Sequence, residues 1–232
     1  MMESILRGNH QLNEKTNCRY CKGLLVKHGK TPNQKQRYYC KKCGRTQLKT
    51  YRYWACASDI NPQIIALLKE GVGIRGMARL LSISTTTLIR RIHWIASQIQ
   101  EPMLVMGQQY EVDELCTYVQ KKSRRFWVVS AYCKERQQVV RFHVGRRNRK
   151  TLAWVLKSVL LSGACKVYTD GYRLYRSLIP SNIHSTRPFG TNHIERIHLN
   201  LRTHLKRLHR RSIGFSRSQT LLTASLKIYF WG

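Results

Sequence analysis

Acid is what this sequence has little of. Its 232 residues hold 11 Asp and Glu against 42 Lys and Arg, a formal charge of +31. Aspartate is the rarer acid: Asp59, Asp113 and Asp170 are the full set. The imbalance runs the whole length, with 18 basic and 5 acidic side chains in residues 1–101 and 24 and 6 in the rest, so it is not a basic tail. Several basic surfaces meet a polyanion, nucleic acid first. A solvated basic face or a ribosome-type RNA binder carries the same charge, so charge alone goes no further. Long apolar runs are also missing. No stretch reaches the roughly 18 apolar residues of a spanning helix, so a membrane role is the weaker reading and none is expected. The first residues, MMESILRGNHQLNEKTN, have neither an apolar core nor a small-residue cleavage site. No signal peptide is read there, and a reducing cytoplasm is expected. Disorder is excluded by a hydrophobic content of 42%, and the length suits one large or two modest domains.

Cysteine is present, and in a pattern. Of eight cysteines, Cys18/Cys21 and Cys40/Cys43 form two C-x2-C pairs with 18 residues between them. Two such turns aim four thiolates at one ion and complete a tetrahedron, a zinc signature. Four thiolates leave no open position, so the zinc is structural. LLVKHG and QKQRYYC read as short strands, so residues 1–55 are expected to form a zinc ribbon. Cys56, Cys116, Cys133 and Cys165 are expected as core or near-core thiols.

Residues 56–101 read as three helices. NPQIIALLKEG opens with Asn61 as cap and Pro62 at the first helical position, and stops at Gly71. VGIRGMARLLSI is the second. Ser84 caps the third, whose inner stripe is Leu88, Ile92, Ile95 and Ile99. Its other side carries Thr86, Thr87, Arg90, Arg91 and Trp94. The arrangement is that of a helix-turn-helix whose third helix enters the major groove, with Thr86, Thr87, Arg90 and Arg91 at the DNA. A generic three-helix bundle with a basic face is the other reading.

After a connector at 101–109 the pattern turns to strands. YEVDELCTYVQ is one, RRFWVVSAYCKERQQVVRFHV is two joined by a turn at Lys134–Gln138, and CKVYTDGY is a fourth that ends at Asp170-Gly171. NRKTLAWVLKSVLLSG is a helix between them. LYRSLI is a short helix, and Thr191 to Leu208 a long amphipathic one with the stripe Ile194, Ile197, Leu201, Leu205 and Leu208. The order predicts an α/β domain with a mixed sheet over residues 102–232. The first and fourth strands can be neighbours, so Asp113 and Asp170 can meet, and Glu195 on the last helix lies outside its apolar stripe. Three converging carboxylates repel unless a cation neutralises them, and hard oxygen ligands suit Mg²⁺ or Mn²⁺. Salt bridges in a basic protein are the alternative; for Glu111 and Glu114 the two readings weigh equally.

These motifs carry a resemblance. CRYC, YYCKKCGRT, GVGIRGMARLLSIS, EVDEL, YTDGYRLY and HIERIHLNLRTHLKRLHRRSIGFSRS are similar to those of transposases of the bacterial insertion-sequence-one family, members of the DDE superfamily with a ribonuclease-H-like catalytic domain. The likeness covers nearly the whole chain. It implies a multidomain protein of zinc ribbon, helix-turn-helix and ribonuclease-H-like domain. It implies that Asp113, Asp170 and Glu195 are the catalytic acids and hold Mg²⁺ or Mn²⁺. Arg202, two turns beyond Glu195, would be a basic residue near the DNA, with Lys206 beside it and His198 a lesser candidate. Leu115 stands where a bulky aromatic is expected. The implied partner is double-stranded DNA, both transposon ends and target. The implied reaction is cleavage that leaves a 3′-hydroxyl, then attack of that hydroxyl on target DNA. A homodimer or higher oligomer in the DNA complex, and a nucleoid-associated cytoplasmic location, follow from the same resemblance. A catalytically silent, DNA-binding repressor descended from such an element is the alternative.

Overall fold

The structure is a computed structural model and describes residues 17–49, 59–209, 211 and 214–232. The chain divides into two compact units, residues 1–57 and 58–232. Cys56 lies outside the described residues.

In the first unit, strands β1 (Leu25–Lys30), β2 (Gln36–Cys40) and β3 (Thr46–Leu48) form a small antiparallel sheet in that order. The third strand was not foreseen. So small a sheet buries little, and the two cysteine turns sit at its end, where Cys18 and Cys40 are buried. Gly44 adopts a φ of +67° after the second pair, as a tight cysteine turn needs.

The second unit begins with α1 (Ile60–Lys69), α2 (Ile74–Leu80) and α3 (Thr85–Gln98). Helix α1 has Asp59, not Asn61, at its N-cap position, with no side-chain cap bond, and Pro62 falls within its first turn. Ile60 is fully buried and so belongs to the helix's inner face, and a proline is tolerated in a first turn whose amides have no intrahelical partner. Ser84 caps α3 as expected, its hydroxyl accepting from the Thr87 amide at 3.1 Å. Leu88, Ile92 and Ile95 are buried, while Ile99 is the half-buried residue that ends the helix.

Next come β4 (Gln109–Val119), β5 (Lys121–Cys133), β6 (Gln138–Gly145), α4 (Arg149–Leu161), β7 (Lys166–Thr169), α5 (Arg173–Arg176), β8 (His184–Ser185), α6 (Asn192–His204) and α7 (Gln219–Trp231). The sheet runs β6-β5-β4-β7-β8. Strands β4, β5 and β6 are antiparallel hairpins; β7 lies parallel to β4, and β8 parallel to β7. A parallel neighbour requires a crossover, which α4 supplies. One sheet face, with Tyr110, Val112, Val129 and Ala131, packs on Leu152, Val155, Leu156 and Val159 of α4. The other, with Leu115, Val128 and Phe142, packs on Ile194 and Leu201 of α6 and Leu222 and Leu226 of α7. Leu115 is fully buried, so an aliphatic side chain fills the place expected for an aromatic.

The long helix stops four residues early. After His204 the backbone becomes extended at Leu205, and Lys206–Leu208 form a 3-10 turn. Leu205 and Leu208 still reach the core. The turn between α1 and α2 meets the chain at that point: Gly71 has a φ of +72°, and a Cβ there would stand 1.8 Å from the His204 carbonyl oxygen. Helix α7 was not anticipated. Ser218 caps it through the Leu221 amide at 3.1 Å, and it lies against α1 and α3. Of the single cysteines, Cys133 is buried, Cys116 half-buried and Cys165 exposed, so Cys165 is not the core thiol expected.

Candidate active site

The strand register builds the site. Strands β4 and β7 pair Val112 with Thr169, so the next residues, Asp113 within β4 and Asp170 just past the end of β7, come side by side. Strand β7 ends at Thr169, and the chain turns away after Asp170. The Tyr172 amide donates to Asp170 Oδ1 at 3.1 Å and holds that carboxylate in an Asx-type turn. Asp113, Glu114 and Asp170 each place a carboxylate oxygen within 4.8 Å of the others. Such a trio fits a divalent cation of the Mg²⁺ or Mn²⁺ class, which takes oxygen ligands.

Each acid has its own surroundings. His198 of α6, buried, donates from Nδ1 to Asp113 Oδ2 at 3.1 Å, and its Nε2 lies 3.5 Å from Ser130 Oγ on β5. A ring bridged between carboxylate and hydroxyl fixes both its tautomer and the Asp113 rotamer. Arg147, just before α4, pairs with Glu114 Oε2 at 3.3 Å and stacks over the Tyr172 ring at 3.9 Å. Burial pushes the Glu114 carboxyl up, outweighing the Arg147 guanidinium, and Asp170 and Asp113 add to the rise. Burial, with the charges of Glu114, Asp113 and Asp170, likewise holds the Tyr175 hydroxyl well above its ordinary value. Sequence reasoning left Glu114 open and passed over Arg147, Tyr172 and Tyr175. Adjacency to Asp113 and Asp170 was the only signal for Glu114 and Tyr172.

Glu195 stands apart from the trio. It is exposed in the first turn of α6, where Thr191 Oγ1 donates to its Oε1 at 2.6 Å. It lines an open groove with Tyr132, Gln137, Asn192, His193 and Arg196. Helix geometry puts Glu195, His198 and Arg202 on one face, so Glu195 lies one turn from the histidine that touches Asp113. Arg202 is half-buried, and Lys206 is exposed on the 3-10 turn.

Glu111 does other work. Its fully buried carboxylate accepts the His193 and Ile194 amides at 2.9 and 3.0 Å, capping α6 from across the fold. Lys134 Nζ at 3.0 Å and His193 Nδ1 at 2.7 Å complete its shell. The His193 ring stacks on Tyr132. Of the two readings open for Glu111, the structure supports the salt bridge.

In the first unit, Cys18, Cys21, Cys40 and Cys43 bring their sulfurs within 4.8 Å of one another, with Cys18–Cys43 at 3.6 Å and Cys21–Cys40 at 3.4 Å. Thiolates around one zinc at about 2.3 Å stand about 3.8 Å apart, so the quartet can hold that ion. Burial resists ionisation of Cys18, but the Tyr20 and Cys21 amides and the neighbouring thiols bring its pKa down to about 6. On α3, Thr86 and Arg90 are exposed and Arg91 half-buried, while the Thr87 hydroxyl accepts from the capping Ser84 at 2.8 Å.

A family model described as IS1 transposase matches residues 107–230. The insertion element IS1 4 protein InsB of Escherichia coli (strain K12) is 39% identical over 111 residues, 48% of this chain and 66% of that protein. The insertion element IS1 protein InsB of Shigella flexneri is 40% identical over 111 residues, 48% of this chain and 85% of that protein. A cryoEM structure of the simian T-cell lymphotropic virus intasome in complex with PP2A regulatory subunit B56 gamma overlaps 70% of this chain and 66% of that one, at 17% identity and a TM-score of 0.37, too loose a superposition to argue from.

Proposed function

The chain belongs to the IS1 transposase family, and from that premise we propose that it is a DDE transposase which binds the inverted repeats at an element's ends, cleaves the DNA there and joins the new 3′-hydroxyl to target DNA. The observation that carries the reading is the β4–β7 register, which sets Asp113 beside Asp170 inside the segment the family model covers. The sheet order 3-2-1-4-5 within the domain, with two strands parallel to the first or to each other at one edge, supports a ribonuclease-H-like catalytic core.

Asp113 and Asp170 would hold the divalent metal that the family implies, with Glu195 presented from α6. When bound, such cations neutralise charge at a scissile phosphate and polarise the attacking oxygen. The chain's own groups prepare the site. His198 holds Asp113 by one oxygen, the Tyr172 amide holds Asp170 by one oxygen, and Glu111 pins the first turn of α6 beside β4. Glu195 turns from Thr191 toward the aspartates as the DNA end is engaged. Arg202 and Lys206 lie further along the same segment and meet the DNA backbone.

End recognition falls to the other elements. Helices α2 and α3 act as a helix-turn-helix, with Thr86 and Arg90 at base edges or phosphates and Thr87 and Arg91 supporting them. The cysteine quartet holds a structural zinc that shapes a basic ribbon. Two ends imply two copies of the chain in the working complex.

The test is a short duplex carrying the element's own end sequence. Asp170→Ala abolishes Mg²⁺-dependent cleavage and leaves end binding intact, and Glu195→Gln does the same. Cleavage retained by Asp170→Ala sinks the proposal. Wild-type protein that binds and never cuts is the silent repressor, and cutting without joining is a plain nuclease.

A further inference from the structure

We propose that Glu114 is a cation ligand, sharing one divalent ion with Asp113 and Asp170; the inference rests on the transposase reading above and adds a carboxylate beyond its three acids. Neighbours along a strand ordinarily point to opposite faces. Here β7 stops at Thr169, the ladder with β4 ends at Val112, and beyond that edge Glu114 bends its carboxylate back to the two aspartates. The three groups offer oxygens within 4.8 Å of one another. Ligands about 2.1 Å from an octahedral ion stand roughly 3 to 4 Å apart, so a small contraction closes the site.

The state of Glu114 itself points to a missing ligand. Its side chain is 2% exposed, and Arg147 satisfies only Oε2. Oε1 is buried and makes no hydrogen bond of ordinary geometry, and the group that approaches it is the Tyr175 hydroxyl, close enough to interact without closing such a bond. A buried carboxylate oxygen without a donor costs the desolvation of that atom. Among the described residues, the basic side chain that pairs with this carboxylate is Arg147, on the other oxygen. Oε1 lies beside two further acids, an arrangement that is favourable once a cation sits among them. Arg147, held flat on Tyr172, balances the outer oxygen and leaves the inner one for the ion.

The measurement is Mn²⁺ binding to the full chain by titration calorimetry without DNA, for wild type, Glu114→Gln and Asp170→Asn, with folding checked by circular dichroism. Glu114→Gln keeps the shape and removes a buried charge. Its Mn²⁺ affinity falls by about tenfold or more, as loss of a ligating group demands. An affinity within threefold of wild type in folded Glu114→Gln overturns the inference. Glu114→Asp, which keeps the charge and withdraws the oxygens by one methylene, is read by the same criterion if Glu114→Gln does not fold. The two readings fail separately. Wild-type Mn²⁺ affinity in Glu114→Gln, with cleavage lost in Asp170→Asn, removes Glu114 alone. Cleavage retained by Asp170→Asn removes the transposase reading.

Discussion

Single side chains at this site divide into the clustered carboxylates and those that hold a carboxylate or a helix end in place. Glu111 shows the second kind. It is fully buried, yet four donors surround it: two α6 amides, Lys134 and His193. A buried charge so compensated is neutral or mildly stabilising, but removal of one partner strands the rest. Glu111→Ala therefore costs about 3–5 kcal/mol, read as a lower urea midpoint, and loosens the first turn of α6. An unchanged midpoint would show that water replaces the carboxylate at no cost. His198 belongs to the same class, since it holds Asp113 by one oxygen. Arg207 is a half-buried cation that pattern reading overlooked. Burial draws its pKa down to about 10, and Ser225 on α7 accepts its Nη1–H at 2.7 Å.

Elements show why side-chain patterns mislead at their ends. The apolar stripe from Ile194 to Leu208 is continuous, and all of it but the half-buried Ile197 is buried. Yet the helix ends at His204, because Leu205 and Leu208 can enter the core from a 3-10 turn as well as from an α-helix. Periodicity reports burial, and two backbone geometries can satisfy it. Helix α3 is the reverse case. A Ser84 cap and the Leu88, Ile92, Ile95 stripe are local signals, and the helix forms where they place it. Its exposed face makes a prediction. If Arg90 neutralises one phosphate, Arg90→Ala lowers the slope of log affinity against log salt by about 1, measured by fluorescence anisotropy on an end duplex. An unaltered slope removes Arg90 from the interface.

The described residues of the two units are held together in different ways. The unit of residues 58–232 has two apolar layers on a five-stranded sheet. The unit of residues 1–57 has, among its described residues, a three-stranded sheet with few buried residues and four converging thiols. A small sheet that buries few side chains gains little from burial, and a metal substitutes for the missing core. Cys40→Ser is thus expected to bring bound zinc from about one per chain to none. The same substitution opens the 17–49 segment to protease, while the melting of residues 58–232 stays unchanged. Loss of zinc with the segment still protected would contradict a structural role.

The sequence by itself determined what neighbours along the chain decide. The C-x2-C pairs converge because two intervening residues set the reach of a turn. The α3 cap forms because Ser84 lies within reach of the Thr87 amide. Asp113 and Asp170 were identifiable because acids are rare here and both sit in strand motifs. Tertiary structure decided what depends on pairing between distant segments. It placed β7 against β4, joined Glu114 to the aspartates while Glu195 stayed at the groove, turned Glu111 into the cap of a helix far along the chain, and closed α7 over α1 and α3. A carboxylate's role follows from which charges, donors and apolar walls surround it, and those arrive through long-range strand pairing and helix packing that no local pattern encodes.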